Sequence, residues 1–397
     1  MSIFSNRLSW NLEENELSRA LRRKREENHP VSDLTVSNPT RAGLSYPGEE
    51  ILNALARAEA LVYEPSAKGH LPAREAVARY YADRGCAIHA DDVVLTASTS
   101  EAYGHVFKLL CDAGDEVLVP EPSYPLLRFL AALDEVKSIA YPLRLEDGWR
   151  IDLASLASLI SPRTRALVVV NPNNPTGSYP TPDVRENLLE LSETKGISLI
   201  VDEVFLDYPL QRNQEIPSFA GATAGLVFVL SGLSKLAGLP QLKLAWIAIG
   251  GSPELTGEAA NRLEHISDTY LSVGTPVQIA APHLLALAPG IAERISLRTR
   301  SNLSVLSSLV PAEPSVSILP PEAGWYAPVR LPAIESSESW ALRFLEEASV
   351  YVHPGAYFGF DREALVVVSL LTERAVFARG IREVLSVVSS RMRGTDG

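Results

Sequence analysis

The chain has 397 residues, 46% of them hydrophobic, which is ample for a large buried core and too long for one ordinary domain. A net charge of −12 argues against a nucleic-acid surface or an anionic membrane, so a small anionic ligand would need its own local pocket of positive charge. Cys86 and Cys111 are too few for a disulfide framework and no metal site is expected; the start holds no apolar leader and no run of about 18 apolar residues occurs, which predicts a cytoplasmic protein.

In chain order, residues 11–28 set apolar Leu12, Leu17, Ala20 and Leu21 among many charges, with Asn11 as a candidate cap. This predicts a short amphipathic surface helix. The loop VSDLTVSNPTRAGLSYP (31–47) follows, carrying Ser37, Asn38 and Arg41, and its Pro/Gly content lets it wander across a domain face. Two helices are expected before residue 85. From Asp92 to about Ile249 the texture changes to VVL (93–95), EVLVP (116–120), ALVVVN (166–171), SLIVDE (198–203), LVFVLS (226–231) and LAWIAIG (244–250). Runs without alternation suit strands buried on both faces, hence a mostly parallel sheet sandwiched by helices. Beyond about residue 290 come a long helix over RISLRTRSNLSVLSSLV, Pro-rich coil, WYAPVRL, a helix at 337–348, VYVHPGAYFGF, ALVVVSLL and a last helix. The expected fold class is α/β, with a large ligand-binding domain at 46–285 and a smaller α/β domain at 286–397. The N-terminal helix and loop, 1–45, should join the smaller one.

A doubly wound sheet binds ligands at the carboxyl ends of its strands, so the polar residues following each run carry the functional signal. Ser98, Thr99 and Ser100 precede a helix, where free N–H groups and hydroxyls make an anion site; a plain N-cap is the alternative. NPNNPTG (171–177) offers the amides of Asn171 and Asn174, either for a ligand or for an Asx-type turn. Asp202 ends an apolar run, and a carboxylate buried there is costly unless a cation or several donors meet it. Lys235 follows LVFVLSGLS and precedes a second apolar run. Only seven of the 36 basic residues are lysine, and an amine that must lose its proton cannot be an arginine.

These pieces fit one ligand with an aldehyde, a phosphate, a protonated ring nitrogen and a ring oxygen. The chain here resembles the fold-type I pyridoxal-phosphate enzymes of aminotransferase class I/II. The matching motifs run in the family's order: Tyr63 with the turn through Gly69, TASTSEA, EPSYP, NPNNPTG, VDEVF, SGLSK, EAGWY and HPGAYFG. The resemblance implies that Lys235 is the Schiff-base lysine, that Asp202 partners the pyridinium nitrogen, and that Asn174 donates to the ring oxygen. It implies that Tyr124 stacks on the ring and that Thr99, Ser100 and Ser234 bind the phosphate, with Ser98, Ser231 and Lys243 beside them. Tyr63 would reach the phosphate of the neighbouring subunit in a homodimer with shared sites.

Three departures bear on the substrate. Phe205 stands where the family has a tyrosine donating to the ring oxygen, with Tyr208 a possible replacement. Lys243 stands where it has a phosphate-clamping arginine, keeping the charge and losing the fork. Val367 stands where it has the arginine that grips the α-carboxylate, leaving Arg41, with Ser37 and Asn38 beside it, or Arg374 as candidates for that role. The expected activity is transfer of an amino group from an amino acid or amine to a keto acid or aldehyde, using pyridoxal 5'-phosphate. A lyase of the same fold, such as a C–S β-lyase, and a catalytically degraded cofactor-binding homologue are the alternatives.

Overall fold

The computed structural model describes residues 3–8, 10, 13–146, 148–211, 214–310, 314–360 and 364–395. The first strands are β1 (Ser32–Asp33), β2 (Val93–Thr96), β3 (Glu116–Glu121), β4 (Lys137–Arg144), β5 (Arg150–Ile151), β6 (Thr164–Val170), β7 (Ser198–Asp202), β8 (Leu226–Gly232) and β9 (Ala245–Gly251). All but β1 form one sheet, in the order β2-β9-β8-β7-β6-β3-β4-β5. Every apolar run singled out in the sequence is one of these strands. Both faces are covered by helices, which is why the runs carry no polar alternation.

Six strands share one direction; β9 and β5 run against it. The carboxyl ends of β2, β8, β7, β6 and β3 therefore lie along one edge, and the start of β9 joins them. Gly232 ends β8 where a Cβ would come within 2.8 Å of Ala245, so glycine allows β9 to approach just before Lys235. The sequence does not announce β4 and β5: β4 alternates exposed and buried positions and contains Pro142, the texture of a strand near a sheet margin.

Five further strands are β10 (Ser317–Ile318), β11 (Tyr326–Arg330), β12 (Val350–Tyr351), β13 (His353–Pro354) and β14 (Leu365–Ser369). Four of them make an antiparallel sheet in the order β10-β11-β14-β13, while β12 pairs with β1 from the other end of the chain. One apolar cluster joins Leu17, Ala20, Leu21 and Leu34 to Trp340, Phe344, Val366, Val368 and Phe377. A larger cluster holds the big sheet's helix-facing residues together with Trp325, Tyr326, Phe358 and Val367. Alternation along β14 thus sends Val367 toward the large sheet and its two neighbours away from it.

The helix Glu16–Glu26 is capped by Asn15, whose side chain accepts from the Ser18 N–H; the expected cap Asn11 and Leu12 lie outside the described residues. The long helix runs continuously over Thr275–Leu309 despite Pro282 and Pro289, so the 285/286 division falls within one helix. Each proline removes a helical hydrogen bond. Burial of Val277, Ala280, Ala281, Leu284, Ala288, Ile291 and Ile295 against the main core offsets that loss. Among the described residues no helix is long and apolar enough to cross a membrane.

Candidate active site

Parallel strand ends bring most of the expected residues to one edge: Ser98–Ser100 after β2, Tyr124 after β3, Asn171–Asn174 after β6, Asp202 at the end of β7, and Ser231, Ser234 and Lys235 around the end of β8. Lys243 precedes β9 at the same edge, exposed and in a left-handed conformation at φ 51°.

Asp202 accepts from the Tyr103 hydroxyl at 3.2 Å and from the Val204 N–H at 3.2 Å. Burial lifts its carboxyl to about 6; those two bonds and the Lys235 charge oppose the rise without cancelling it. The anion lacks a sufficient cation. Burial in turn drops the Lys235 amine to about 8, the Asp202 charge working against the fall. Its Nζ lies 5.0 Å from the Trp325 ring centre and 5.7 Å from that of Phe205. An apolar, aromatic wall thus favours the neutral, nucleophilic amine.

Phe205, Trp325, Tyr208 and Tyr326 pack edge to face around that lysine. Tyr208 does not replace the hydroxyl missing at 205, because it donates to the Lys235 carbonyl at 2.5 Å. Burial raises the Tyr326 phenol, and its hydrogen bond to Ser37 brings the N-terminal loop over this wall. Ser369 fastens the same loop, its hydroxyl donating to the Val36 carbonyl at 2.5 Å.

The NPNNPTG turn divides its asparagines. Asn171 donates to Glu203 and to the Pro217 carbonyl, and is a structural group. Asn174 keeps a buried Oδ1 without a partner, as does the Ser231 hydroxyl. Gly177, at φ 71°, packs where a Cβ would strike the Ala323 carbonyl at 2.4 Å, holding the turn against the segment that leads to Trp325. The neighbouring Glu203 is fully buried, accepts from Ser218, Phe219 and Asn171, and is raised to about 7 by that burial.

Ser98 is the N-cap of Thr99–Leu110: its Oγ accepts from the Glu101 N–H at 3.1 Å, while Glu101 reaches back to the Ala97 N–H at 2.6 Å. This is a variant of the capping box in which the glutamate meets the N–H of the residue before the cap. Its acceptor role is structural, and Thr99 and Ser100 remain partly exposed at the helix start. Tyr63, Arg41, Ser37 and Asn38 are exposed, and Asn38 spends its side chain capping Thr40. Arg374 is exposed at the start of the last helix, and Val367 is fully buried.

The profile of aminotransferase class I and II matches residues 30–376. The chain belongs to that family. Mouse (Mus musculus) tyrosine aminotransferase is 28% identical over 354 residues, covering 86% of this chain and 78% of that protein. Glutamate-pyruvate aminotransferase AlaA of Escherichia coli K12 is 26% identical over 347 residues, covering 85% of each. The solved alanine aminotransferase of Pyrococcus furiosus superposes with a TM-score of 0.89 at 23% identity, covering 98% of this chain and 100% of that one, and shares the fold.

Class I and II aminotransferases are transferases that use pyridoxal phosphate. Three features of this edge fit that group: an under-compensated Asp202 suited to a protonated ring nitrogen, an amine shifted toward its neutral form, and the orphaned Asn174 amide, which a half-turn converts from acceptor to donor. Sequence reasoning missed Tyr103 as the donor to Asp202, although it lies one turn into the helix from Thr99. It quoted Trp325 and Tyr326 within EAGWY without giving them a role.

Proposed function

We propose that this aminotransferase binds pyridoxal 5'-phosphate at the strand-end edge and moves an amino group from an amino-acid donor to a keto-acid acceptor. The observation that carries this reading is the pairing of a lysine whose amine is lowered to about 8 with a carboxylate raised to about 6, both beside a wall of aromatic rings. When bound, pyridoxal phosphate supplies an electron sink for the charge left as the donor's Cα proton departs. Lys235 anchors the group through its neutral amine and then takes and returns the Cα proton. Asp202 holds a proton on the ring nitrogen, with Tyr103 keeping its carboxylate oriented. Tyr124 covers the ring and Asn174 meets its oxygen. Ser98, Thr99, Ser100, Ser231, Ser234 and Lys243 supply donors and charge for the phosphate.

The reading includes a homodimer, acting in the cytoplasm. Tyr63 is 72% exposed beside Leu61 at 90%, an apolar stretch that suits a second copy placing Tyr63 at its partner's phosphate. Ser37, Asn38 and Arg41 are proposed to line the substrate entrance. The relatives' names set the first donors to try: tyrosine, alanine and glutamate, with pyruvate as an acceptor. Keto acid formed from a donor in step with amination of the acceptor supports the reading. Ammonia or thiol released with no aminated product contradicts it.

A further inference from the structure

Glu203 directly follows Asp202 and is fully buried. Three donors converge on its carboxyl: the Ser218 hydroxyl at 2.6 Å on one oxygen, and the Phe219 N–H at 2.8 Å and the Asn171 amide at 3.2 Å on the other. Asn171 follows β6, Glu203 follows β7, and Ser218 and Phe219 belong to the segment leading into β8. One side chain thus ties three neighbouring connections together. Arg185, whose charge reaches the carboxyl, spends its guanidinium on the Ser218 carbonyl at 3.2 Å and on the face of Phe219. The other titratable group facing it is the Tyr81 phenol, raised by burial and then by the Glu203 charge. A carboxyl buried on hydrogen bonds alone is costly, and a positional role is one reason to keep it. The NPNNPTG turn is anchored a second time by Asn173, which donates to the Pro122 carbonyl at 3.1 Å and accepts from the Ser123 hydroxyl at 3.0 Å. Two asparagines of the turn are spent on holding it, and Asn174 alone keeps an unpartnered buried oxygen.

Resting on the reading that Asn174 meets the ring oxygen of bound pyridoxal phosphate, we propose that Glu203 is a positioning residue: by holding Asn171 it fixes the turn that presents Asn174. The role lies in the hydrogen bonds and not in the charge. Glutamine reproduces it, its oxygen accepting from Phe219 and Asn171 while its NH2 donates to the Ser218 hydroxyl, which rotates to receive it. Leucine leaves the three donors without their acceptor and releases the end of β6.

The test follows the visible band of the cofactor-loaded protein against pH, since a donor on the ring oxygen changes how readily the lysine-bound cofactor gives up its proton. Asn174→Ala should move the midpoint by about half a unit or more, the scale of one hydrogen bond. Glu203→Leu should move it in the same direction, and the double variant no further than Asn174→Ala alone, as two residues acting through one contact require. Glu203→Gln should keep the wild-type midpoint. If Glu203→Leu does not fold, Asn171→Ala, which cuts the tie to β6 and leaves the acid two donors, should move the midpoint in its place. An unmoved midpoint in Glu203→Leu or in Asn171→Ala, shifts that add in the double variant, or a Glu203→Gln midpoint displaced like that of Glu203→Leu overturns the proposal. A wild type without the visible band overturns the cofactor reading, and an unmoved midpoint in Asn174→Ala overturns the role of Asn174 and the proposal with it, so the failures are distinguishable.

Discussion

Two regions of the molecule differ in kind. The strand-end edge is a set of polar groups set on buried strands and left electrostatically incomplete: Asp202 without a sufficient cation, Lys235 pushed toward neutrality, Asn174 and Ser231 with orphaned atoms. The second wall, where the antiparallel sheet meets the N-terminal loop, is apolar and aromatic, with Val367 fully buried. Incomplete charge is expensive in a folded core and persists where a ligand completes it. The difference teaches where a ligand would stabilise the fold: at the incomplete polar edge, not at the apolar sheet, which is already satisfied by packing.

The sharpest way to break this contrast is Lys235→Ala. Turnover should fall by about a thousandfold or more, since one amine serves as anchor and base, while urea unfolding stays cooperative. Substantial residual turnover would take Lys235 out of the mechanism.

Next is Asp202→Asn, expected to cost about a hundredfold in rate and yet to stabilise the cofactor-free protein. A folded-state value raised from 3.8 to about 6 means this carboxyl's contribution to stability is whole below 3.8 and is lost as pH rises through about 6. Near neutrality the asparagine variant should gain at most about 3 kcal/mol in urea unfolding without cofactor. A loss instead would show that the carboxylate is compensated.

For the lysine the sign is opposite. Its lowered value makes protonation a penalty in place below about 8 and relieved as pH climbs toward 10.5. Cofactor uptake should accordingly accelerate through about pH 8; acceleration only near 10.5 would place the amine in a solvated setting. The smallest effect belongs to Tyr208→Phe, which removes one hydrogen bond to the Lys235 carbonyl. It should cost about 1 kcal/mol in stability and leave the lysine's pH dependence in place; a moved dependence would give the phenol a part in the chemistry.

The first wall was legible in the sequence and the second was not, for a physical reason. A buried parallel strand writes itself as an unbroken apolar run, and a polar residue at its end stands out, as Asp202 and Lys235 do. The other side is put together from Tyr326, His353 and Val367, which strand register sets on one sheet, and from Ser37, which joins them from the far end of the chain by its hydrogen bond to Tyr326. His353 sits in HPGAYFG, a stretch matched to the family without a role for the histidine. The long helix, expected only over RISLRTRSNLSVLSSLV, begins at Thr275 and passes through Pro282 and Pro289, because burial along one face holds it together. Strand β4 near the sheet margin carried no continuous run to read.

The central claim is that the strand-end edge, through Lys235, carries out amino-group transfer. Its most direct test is a single turnover of the cofactor-loaded protein with an amino acid and no acceptor, following the visible band and the released product together. The account predicts loss of the band with about one keto acid per site, recovery of the band on adding a second keto acid, and neither change in Lys235→Ala. Product released repeatedly without an acceptor, together with ammonia, would contradict it.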